Sequence, residues 1–121
     1  MPSNLKLTTR GRRTGTLRRK TLYYGRDGDR LLVVASNGGA PDHPSWYLNL
    51  VADPAVTVEV GREEFAAQAR PASPTERRRL WQVMVSIFPM YARFQAKTDR
   101  EIPVVIIERM RAGTTDDEEH A

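Results

Sequence analysis

The links between the strand-like segments are the feature of this chain that most restricts its fold. Residues 25–28, which contain Asp27-Gly28, join two such segments, and Gly61 turns an alternating segment back into the next one. Asp-Gly between two strand-like segments is typical of a β-hairpin, whereas a parallel crossover needs about a dozen residues. The pattern therefore predicts antiparallel hairpins and excludes alternating parallel β-α-β units.

The periodicity of apolar residues predicts six strands and three short helices. One helix is expected to begin at Pro44, a longer one at the capping box of residues 73–76 (SPTE), and a third after Phe88-Pro89 breaks the second. The strands are expected at residues 5–9, 18–24, 30–36, 56–60, 64–70 and 102–107. Short antiparallel strands that wrap round remove exposed edges, so we expect a small, mainly β (α+β) barrel.

Length and composition bound the class of protein. A chain of 121 residues forms one domain, which we place at residues 1–109, and the acidic residues 110–121 are predicted to be a disordered tail. The chain has no cysteine and two histidines, so neither a thiol nucleophile nor a metal site is expected. Because there is no membrane-spanning apolar run and no signal-peptide pattern, we expect a cytoplasmic protein without an integral membrane segment.

The first twenty residues carry seven cations and no acidic residue. Residues 10–15 form a turn with glycine at positions 11 and 15, and its arginines and Thr14 offer hydrogen-bond donors that suit phosphate oxygens. A block of this density fits a solvated face, a nucleic-acid footprint or a site for a phosphorylated ligand. The sequence around it leaves all three open.

Residues 33–50 are predicted to run from a buried strand, through a Gly-Gly loop, into a helix start. Backbone N–H groups and the positive end of the helix dipole would then face a cleft in front of the loop. That arrangement suits an anion or a carbonyl-rich ring. An ordinary strand-to-helix connection would have the same pattern.

Four motifs in this order resemble the deazaflavin-dependent nitroreductase family, which includes quinone reductases that use coenzyme F420. They are residues 7–15 (LTTRGRRTG), 24–28 (YGRDG), 34–50 (VASNGGAPDHPSWYLNL) and 98–105 (TDREIPVV), and the resemblance extends over about residues 5–108. It implies a split β-barrel related to the flavin-binding ones. It also implies an oxidoreductase that passes hydride from the reduced deazaflavin, a cofactor with a phosphodiester and an oligoglutamate tail, to a quinone or nitroaromatic acceptor.

The resemblance also implies a set of site residues. Those that match the phosphate and tail site are Arg12, Arg13, Thr14, Gly15 and Arg18. Those that match the deazaflavin site are Val34, Ala35, Ser36 and Asn37, with Ser45, Trp46 and Asn49 closing its other side. The substrate pocket is assigned to Tyr23, Phe88, Tyr91 and Phe94.

Ser36 and Tyr91 are the predicted catalytic residues. Reduction of a quinone creates an oxyanion, and both hydroxyls could donate a hydrogen bond to it, with Tyr91 as the proton source. The sequence is equally compatible with Ser36 capping its own loop and with Tyr91 acting only as a packing residue. Trp46 is equally compatible with the core and with a cofactor wall.

Other classes of function stay open from the sequence. An FMN-binding split barrel would share the fold and the phosphate contacts. A small nucleic-acid-binding barrel would explain the basic N-terminus, although Tyr23-Tyr24 is the only aromatic pair beside it, so we expect no nucleic acid as partner. A cofactor carrier without catalysis is a further alternative, and the chain could assemble as a homodimer.

Overall fold

The computed structural model describes residues 3–110 and consists of one antiparallel sheet with three α-helices and a 3₁₀ turn. The strands are β1 (Asn4–Arg10), β2 (Leu17–Tyr23), β3 (Gly25–Asp27), β4 (Arg30–Val34), β5 (Ala55–Val60), β6 (Glu63–Pro71) and β7 (Val104–Arg109). The helices are α1 (Ser45–Ala52), α2 (Pro74–Ile87) and α3 (Met90–Ala96), and the 3₁₀ turn is Asn37–Gly39. The predicted acidic tail, apart from Met110, lies outside the described residues.

The sheet has the strand order β2-β1-β5-β6-β7-β4-β3, with every pair antiparallel. Its two outermost strands, β2 and β3, follow one another in the chain with only Tyr24 between them. A single bent segment therefore borders the sheet on both sides, so the sheet curls into an open barrel. The predicted mainly β, antiparallel barrel with short helices is confirmed.

The predicted count of six strands is wrong by one. Residues 25–27, which were expected to form a turn, are β3 and pair with β4, so the turn is shifted to Gly28 and Asp29. Gly25 fits in this strand because it has no side chain, so α2 can pack directly against its backbone. A Cβ built at Gly25 would lie 2.6 Å from Ile87 Cδ1 and 2.8 Å from Met84 Sδ.

The two faces of the sheet bury two separate apolar clusters. The inner cluster joins β1, β4, β5, β6 and β7 to Trp46 and Leu50 of α1. The outer cluster packs α2 and α3 against β4 and β7. Strand β7 supplies both, because Val105 belongs to the inner cluster and Ile106 to the outer one, each with no exposed surface. The prediction that residues 102–107 are buried on both faces is confirmed, although the strand itself begins at Val104.

The helix starts follow their sequence signals closely. The capping box is present, since Glu76 N donates to Ser73 Oγ and Ser73 N donates to Glu76 Oε1, with Pro74 as the first residue of α2. At α1, Pro44 was expected inside the first turn. It is the N-cap, with an extended ψ of 152°, and the helix begins at Ser45.

Candidate functional site

Two cavities meet at the end of β4. The larger cleft has a volume of about 920 Å³ and the smaller pocket one of about 440 Å³. Leu22, Val34 and Ser36 line both of them, so the two cavities are adjacent at these three residues. The arrangement suits a reaction between two bound molecules.

The turn between β1 and β2 forms the cationic end of the larger cleft. Gly11 N donates to Thr16 O and Gly15 N to Gly11 O, and Gly15 has a φ of 77°, a conformation that favours glycine. Thr14 Oγ1 accepts from Thr16 N. These bonds make a tight turn whose arginine side chains extend from its surface.

Asn49 ties this turn to helix α1. Its Oδ1 accepts from Arg12 N at 3.1 Å and from Arg12 Nη1 at 2.9 Å, and its Nδ2 donates to Thr9 Oγ1 at 3.3 Å. Asn49 is only 3% exposed, so its amide is satisfied by the protein itself. Asn49 therefore positions Arg12 at the edge of the cleft.

Strand β2 continues the cationic surface along the cleft. Arg18 pairs with Thr9 and Lys20 with Leu7 across the β1–β2 ladder, so the cations share a face with the buried side of β1. Arg13, Arg18 and Lys20 form no ion pair within residues 3–110. Exposed cations that have no carboxylate partner among the described residues leave this end of the cleft able to bind an anion.

The loop after β4 forms the neutral end of the cleft and is anchored to the segment around α3. Gly39 lies so close to α3 that a Cβ there would stand 2.7 Å from Phe94 O. Lys97 Nζ donates to Gly38 O, and Arg100 donates to the carbonyls of Ala35, Ser36 and Ala40. The lining of the cleft and the element that carries Phe94 are therefore one connected unit.

Aromatic rings line the smaller pocket. The ring of Phe88 contacts those of Tyr23 and Tyr91 edge-on, with both centroid distances 5.0 Å, and Phe94 lies 6.5 Å from Phe88 and from Tyr91. Tyr91 is 5% exposed, and burial, with a smaller contribution from Tyr23, raises its pKa to about 12. Its hydroxyl forms no hydrogen bond within residues 3–110 and is not among the fully buried polar atoms. A protonated phenol therefore faces the pocket.

Most of the predicted site residues line the cavity to which they were assigned. In the larger cleft these are Arg12, Arg13, Thr14, Arg18, Val34, Ser36, Asn37, Ser45, Trp46 and Asn49. In the smaller pocket these are Tyr23, Phe88, Tyr91 and Phe94. Gly15 and Ala35 line neither cavity: Gly15 shapes the turn, and Ala35 has no exposed surface and belongs to the inner cluster.

Sequence reasoning missed part of both linings. The additional residues are Gly11, Arg19, Lys20, Leu22, Gly38, His43 and Pro44 in the larger cleft, and Asn4, Thr21 and Leu22 in the smaller pocket. The alternation of β2 could have indicated Lys20 and Leu22, since both fall in register with Arg18. His43 had a weaker signal, because only its place between the Gly-Gly loop and the helix start suggested a position in the cleft.

The sequence profile of the F420H(2)-dependent quinone reductase family matches residues 1–109. The chain belongs to this family. It is similar to an F420H(2)-dependent quinone reductase of Mycobacterium tuberculosis, with 42% identity over 111 residues that cover 89% of this chain and 74% of that protein. A second protein of the same organism, described as a putative F420H(2)-dependent quinone reductase, is 35% identical and covers 85% of this chain and 87% of its own length.

Solved structures of family relatives have the same fold. An F420-H2 dependent reductase aligns with a TM-score of 0.80 and 39% identity, and the alignment covers 88% of this chain and 94% of the reductase chain. A structure described as a domain-swapped dimer has a TM-score of 0.81 and 39% identity, covering 88% of this chain and 80% of that one. A putative pyridoxamine 5'-phosphate oxidase from Listeria innocua, at 14% identity and a TM-score of 0.64, shares the fold alone. The fold is therefore split-barrel-like.

Family membership makes this chain an oxidoreductase whose cofactor is coenzyme F420. It does not favour an FMN-binding enzyme or a nucleic-acid-binding barrel. Within residues 3–110 no helix is long and apolar enough to cross a membrane, and no cluster of three or more His, Asp or Glu residues could hold a metal ion.

The larger cleft has the donor set that this cofactor needs. A phosphodiester and an oligoglutamate tail require cations, which Arg13, Arg18 and Lys20 supply at one end without an ion pair to any other residue of the range 3–110. A neutral ring requires apolar walls, which Val34 and Trp46 supply at the other. A volume of about 920 Å³ also lies near the upper end of ordinary ligand sites. The residues present therefore fit coenzyme F420.

Proposed function

We propose that this chain binds reduced coenzyme F420 in the larger cleft and reduces a quinone held in the smaller pocket. The observation that carries the proposal is the junction at Leu22, Val34 and Ser36, which line both cavities. Hydride transfer needs the reacting atoms of donor and acceptor in van der Waals contact, and the place where the two cavities adjoin is where the two molecules would meet. The charge along the larger cleft and the aromatic rings of the smaller pocket support the molecule proposed for each cavity.

The charge along the larger cleft sets the orientation of the cofactor. Arg12, Arg13 and Arg18, with Thr14 beside them, would hold the phosphodiester and the tail carboxylates through forked and charge-assisted hydrogen bonds. Val34, Ser36, Asn37, Ser45 and Trp46 would enclose the ring. This orientation directs the reactive ring toward the junction with the smaller pocket.

Ser36 and Tyr91 would act on the acceptor. Coenzyme F420, when bound, would supply a hydride from its deazaflavin ring, and reduction of a quinone by that hydride would create an oxyanion. Ser36 lies at the junction and Tyr91 in the smaller pocket, so both hydroxyls are placed to donate to that oxygen. The phenol of Tyr91 keeps its proton at neutral pH, as it would at its ordinary pKa of 10.0, so it can donate a hydrogen bond to that oxygen. If the proton moves on to complete the quinol, water has to return one to the phenolate.

The ring-lined pocket favours a flat aromatic acceptor. The edge-on contacts of Phe88 with Tyr23 and Tyr91 leave apolar surface for a quinone ring, while Tyr91 offers a polar contact. A nitroaromatic acceptor has the same flat shape but needs donors for a nitro group. Phe88 and Phe94 have no hydroxyl, so we expect weaker turnover of nitroaromatics than of quinones.

Assembly and location are further parts of the proposal. A relative whose structure is described as a domain-swapped dimer supports a homodimer for this chain as well, which light scattering after gel filtration tests. A chain without cysteine is compatible with the reducing cytoplasm, where we place the activity.

The proposal is tested by following oxidation of reduced F420 by its absorbance, in the presence of a water-soluble naphthoquinone. We expect enzyme-dependent oxidation that saturates with quinone and yields one quinol for each cofactor oxidised. Reduced FMN serves as the matched control, and the enzyme should add little or nothing to the spontaneous oxidation of reduced FMN by the quinone. Oxidation no faster than in the absence of enzyme would refute the proposed function.

A further inference from the structure

Arg100 is the centre of a hydrogen-bond cluster behind the loop that lines the larger cleft. Its Nε donates to Ala40 O at 2.9 Å, its Nη2 to Ser36 O at 2.8 Å, and its Nη1 to Ala35 O at 3.4 Å. The same Nη1 lies 3.0 Å from Nδ1 of His43. A single guanidinium therefore contacts both the start of the loop and the histidine near its end.

The contact with Arg100 decides which tautomer His43 adopts. A guanidinium stays protonated in proteins and has donors but no acceptor, so Nδ1 of His43 has to accept. The ring proton is then on Nε2. Burial and the charge of Arg100 both lower the pKa of His43, Asp42 acts in the opposite direction, and Tyr47 packs against the ring with a centroid distance of 4.7 Å. His43 is thus a neutral ring with an N–H at Nε2 at neutral pH.

Nε2 of His43 is available to a ligand. His43 lines the larger cleft together with Ser36, Asn37 and Gly38. Its Nε2 has no partner within residues 3–110, and no described side-chain nitrogen or oxygen is both fully buried and without a partner. The unused donor is therefore accessible to a molecule in the cleft.

We propose that His43 is a cofactor-binding residue whose Nε2–H donates a hydrogen bond to an oxygen of bound coenzyme F420, and that Arg100 is the positioning residue that fixes this tautomer. The inference rests on the proposed function, because it takes the larger cleft as the cofactor site. Ring carbonyl and phosphate oxygens are both acceptors of the required kind.

Nuclear magnetic resonance of the ¹⁵N-labelled, untagged protein tests the tautomer and the contact. The chain has two histidines, so a His120→Gln variant leaves one imidazole to assign. Long-range ¹H–¹⁵N correlations should show Nδ1 unprotonated and Nε2 protonated at about pH 8, and the midpoint for protonation of the ring should lie below the ordinary histidine pKa of about 6.5. Addition of F420 should shift the Nε2–H signal.

The phosphate-free ring fragment of the cofactor identifies the acceptor. A shift with both F420 and the fragment assigns the acceptor to the ring or its ribityl chain, and a shift with F420 alone assigns it to the phosphate. An Nδ1-protonated ring, ordinary titration near pH 6.5, or an Nε2 signal that F420 leaves unchanged would each overturn the inference. If the wild-type protein fails to bind F420 at all, the proposed function fails with it.

Two amide variants separate the two nitrogens of His43. An asparagine amide can replace Nδ1 and keep the bond from Arg100, whereas a glutamine amide can replace Nε2 and keep the donor in the cleft. His43→Asn should weaken F420 binding about tenfold, as expected for loss of a single good hydrogen bond, and His43→Gln should stay within about threefold of wild type. Wild-type affinity in His43→Asn, with unfolding by urea unchanged, would contradict the proposed donor.

Discussion

Replacement of Tyr91 by phenylalanine separates its chemical role from its packing. Phenylalanine keeps the edge-on contact with Phe88 and the neighbouring contact with Phe94. The hydroxyl that is lost has no hydrogen-bond partner within residues 3–110. At about pH 8 the free energy of unfolding of Tyr91→Phe should therefore lie within about 0.5 kcal/mol of the wild-type value.

The pKa of Tyr91 predicts a difference between the two proteins at high pH. The folded value is about 12 and the ordinary value is 10.0, so the unfolded chain releases the phenol proton first and wild-type stability falls as pH rises between these values. A pKa difference of about 2, at about 1.4 kcal/mol for each, amounts to a total of about 3 kcal/mol, of which about half is lost by about pH 11. Tyr91→Phe lacks this loss.

The assays are urea unfolding at about pH 8 and about pH 11, followed by turnover with a quinone at about pH 8. All groups other than Tyr91 are common to both proteins, so the difference between the proteins isolates Tyr91. If the phenol donates to the oxyanion, kcat of Tyr91→Phe should fall about 100-fold, while F420 affinity changes less than about twofold. An unchanged kcat would show that Tyr91 only packs, and equal stability losses at high pH would refute the argument from burial.

Three further substitutions test the rest of the site. Arg13→Ala should weaken F420 binding and flatten the dependence of binding on salt, and removal of the cofactor's tail should have the same two effects. Arg62→Ala removes an exposed cation outside both cavities and should have neither effect. Equal salt slopes for the two variants would contradict a tail site. Ser36→Ala should lower kcat or F420 affinity about tenfold, and wild-type values for both would remove Ser36 from the site. Gly39→Ala should lower the free energy of unfolding by at least about 2 kcal/mol, because Gly39 has a φ of 83° and a Cβ there would meet the backbone of α3. The control Gly28→Ala should lower it by about 1 kcal/mol, because Gly28 has a φ of 63° but open space around it. Equal losses on chemical denaturation would refute the close contact at Gly39.

The sequence indicated most of the fold because the deciding signals are local. The capping box at residues 73–76 and the alternation of residues 56–60 specify their elements without help from distant contacts. The error at residues 25–27 has the opposite origin. An Asp-Gly pair indicates a turn, but the position of that turn is set by β4 and by the packing of α2 against Gly25.

The candidate site was predictable where a short motif brings its own chemistry. Arg12 and Arg13 line the larger cleft together with Ser36, Asn37 and Trp46, and their roles toward the cofactor stay predictions. The role of Asn49 in anchoring Arg12, and that of Arg100 in anchoring the loop, depend on hydrogen bonds across 37 and more than 55 positions of sequence. No local pattern contains such pairings.

The central claim is that reduced F420 in the larger cleft reduces a quinone in the smaller pocket. The most direct measurement titrates the protein with F420 and FMN side by side and then mixes the reduced F420 complex with increasing excesses of quinone in a stopped-flow instrument. We predict tight binding of F420 alone and a single exponential oxidation of the cofactor whose rate saturates with quinone. Equal affinity for FMN, or an F420 complex that quinone does not oxidise, would contradict the account.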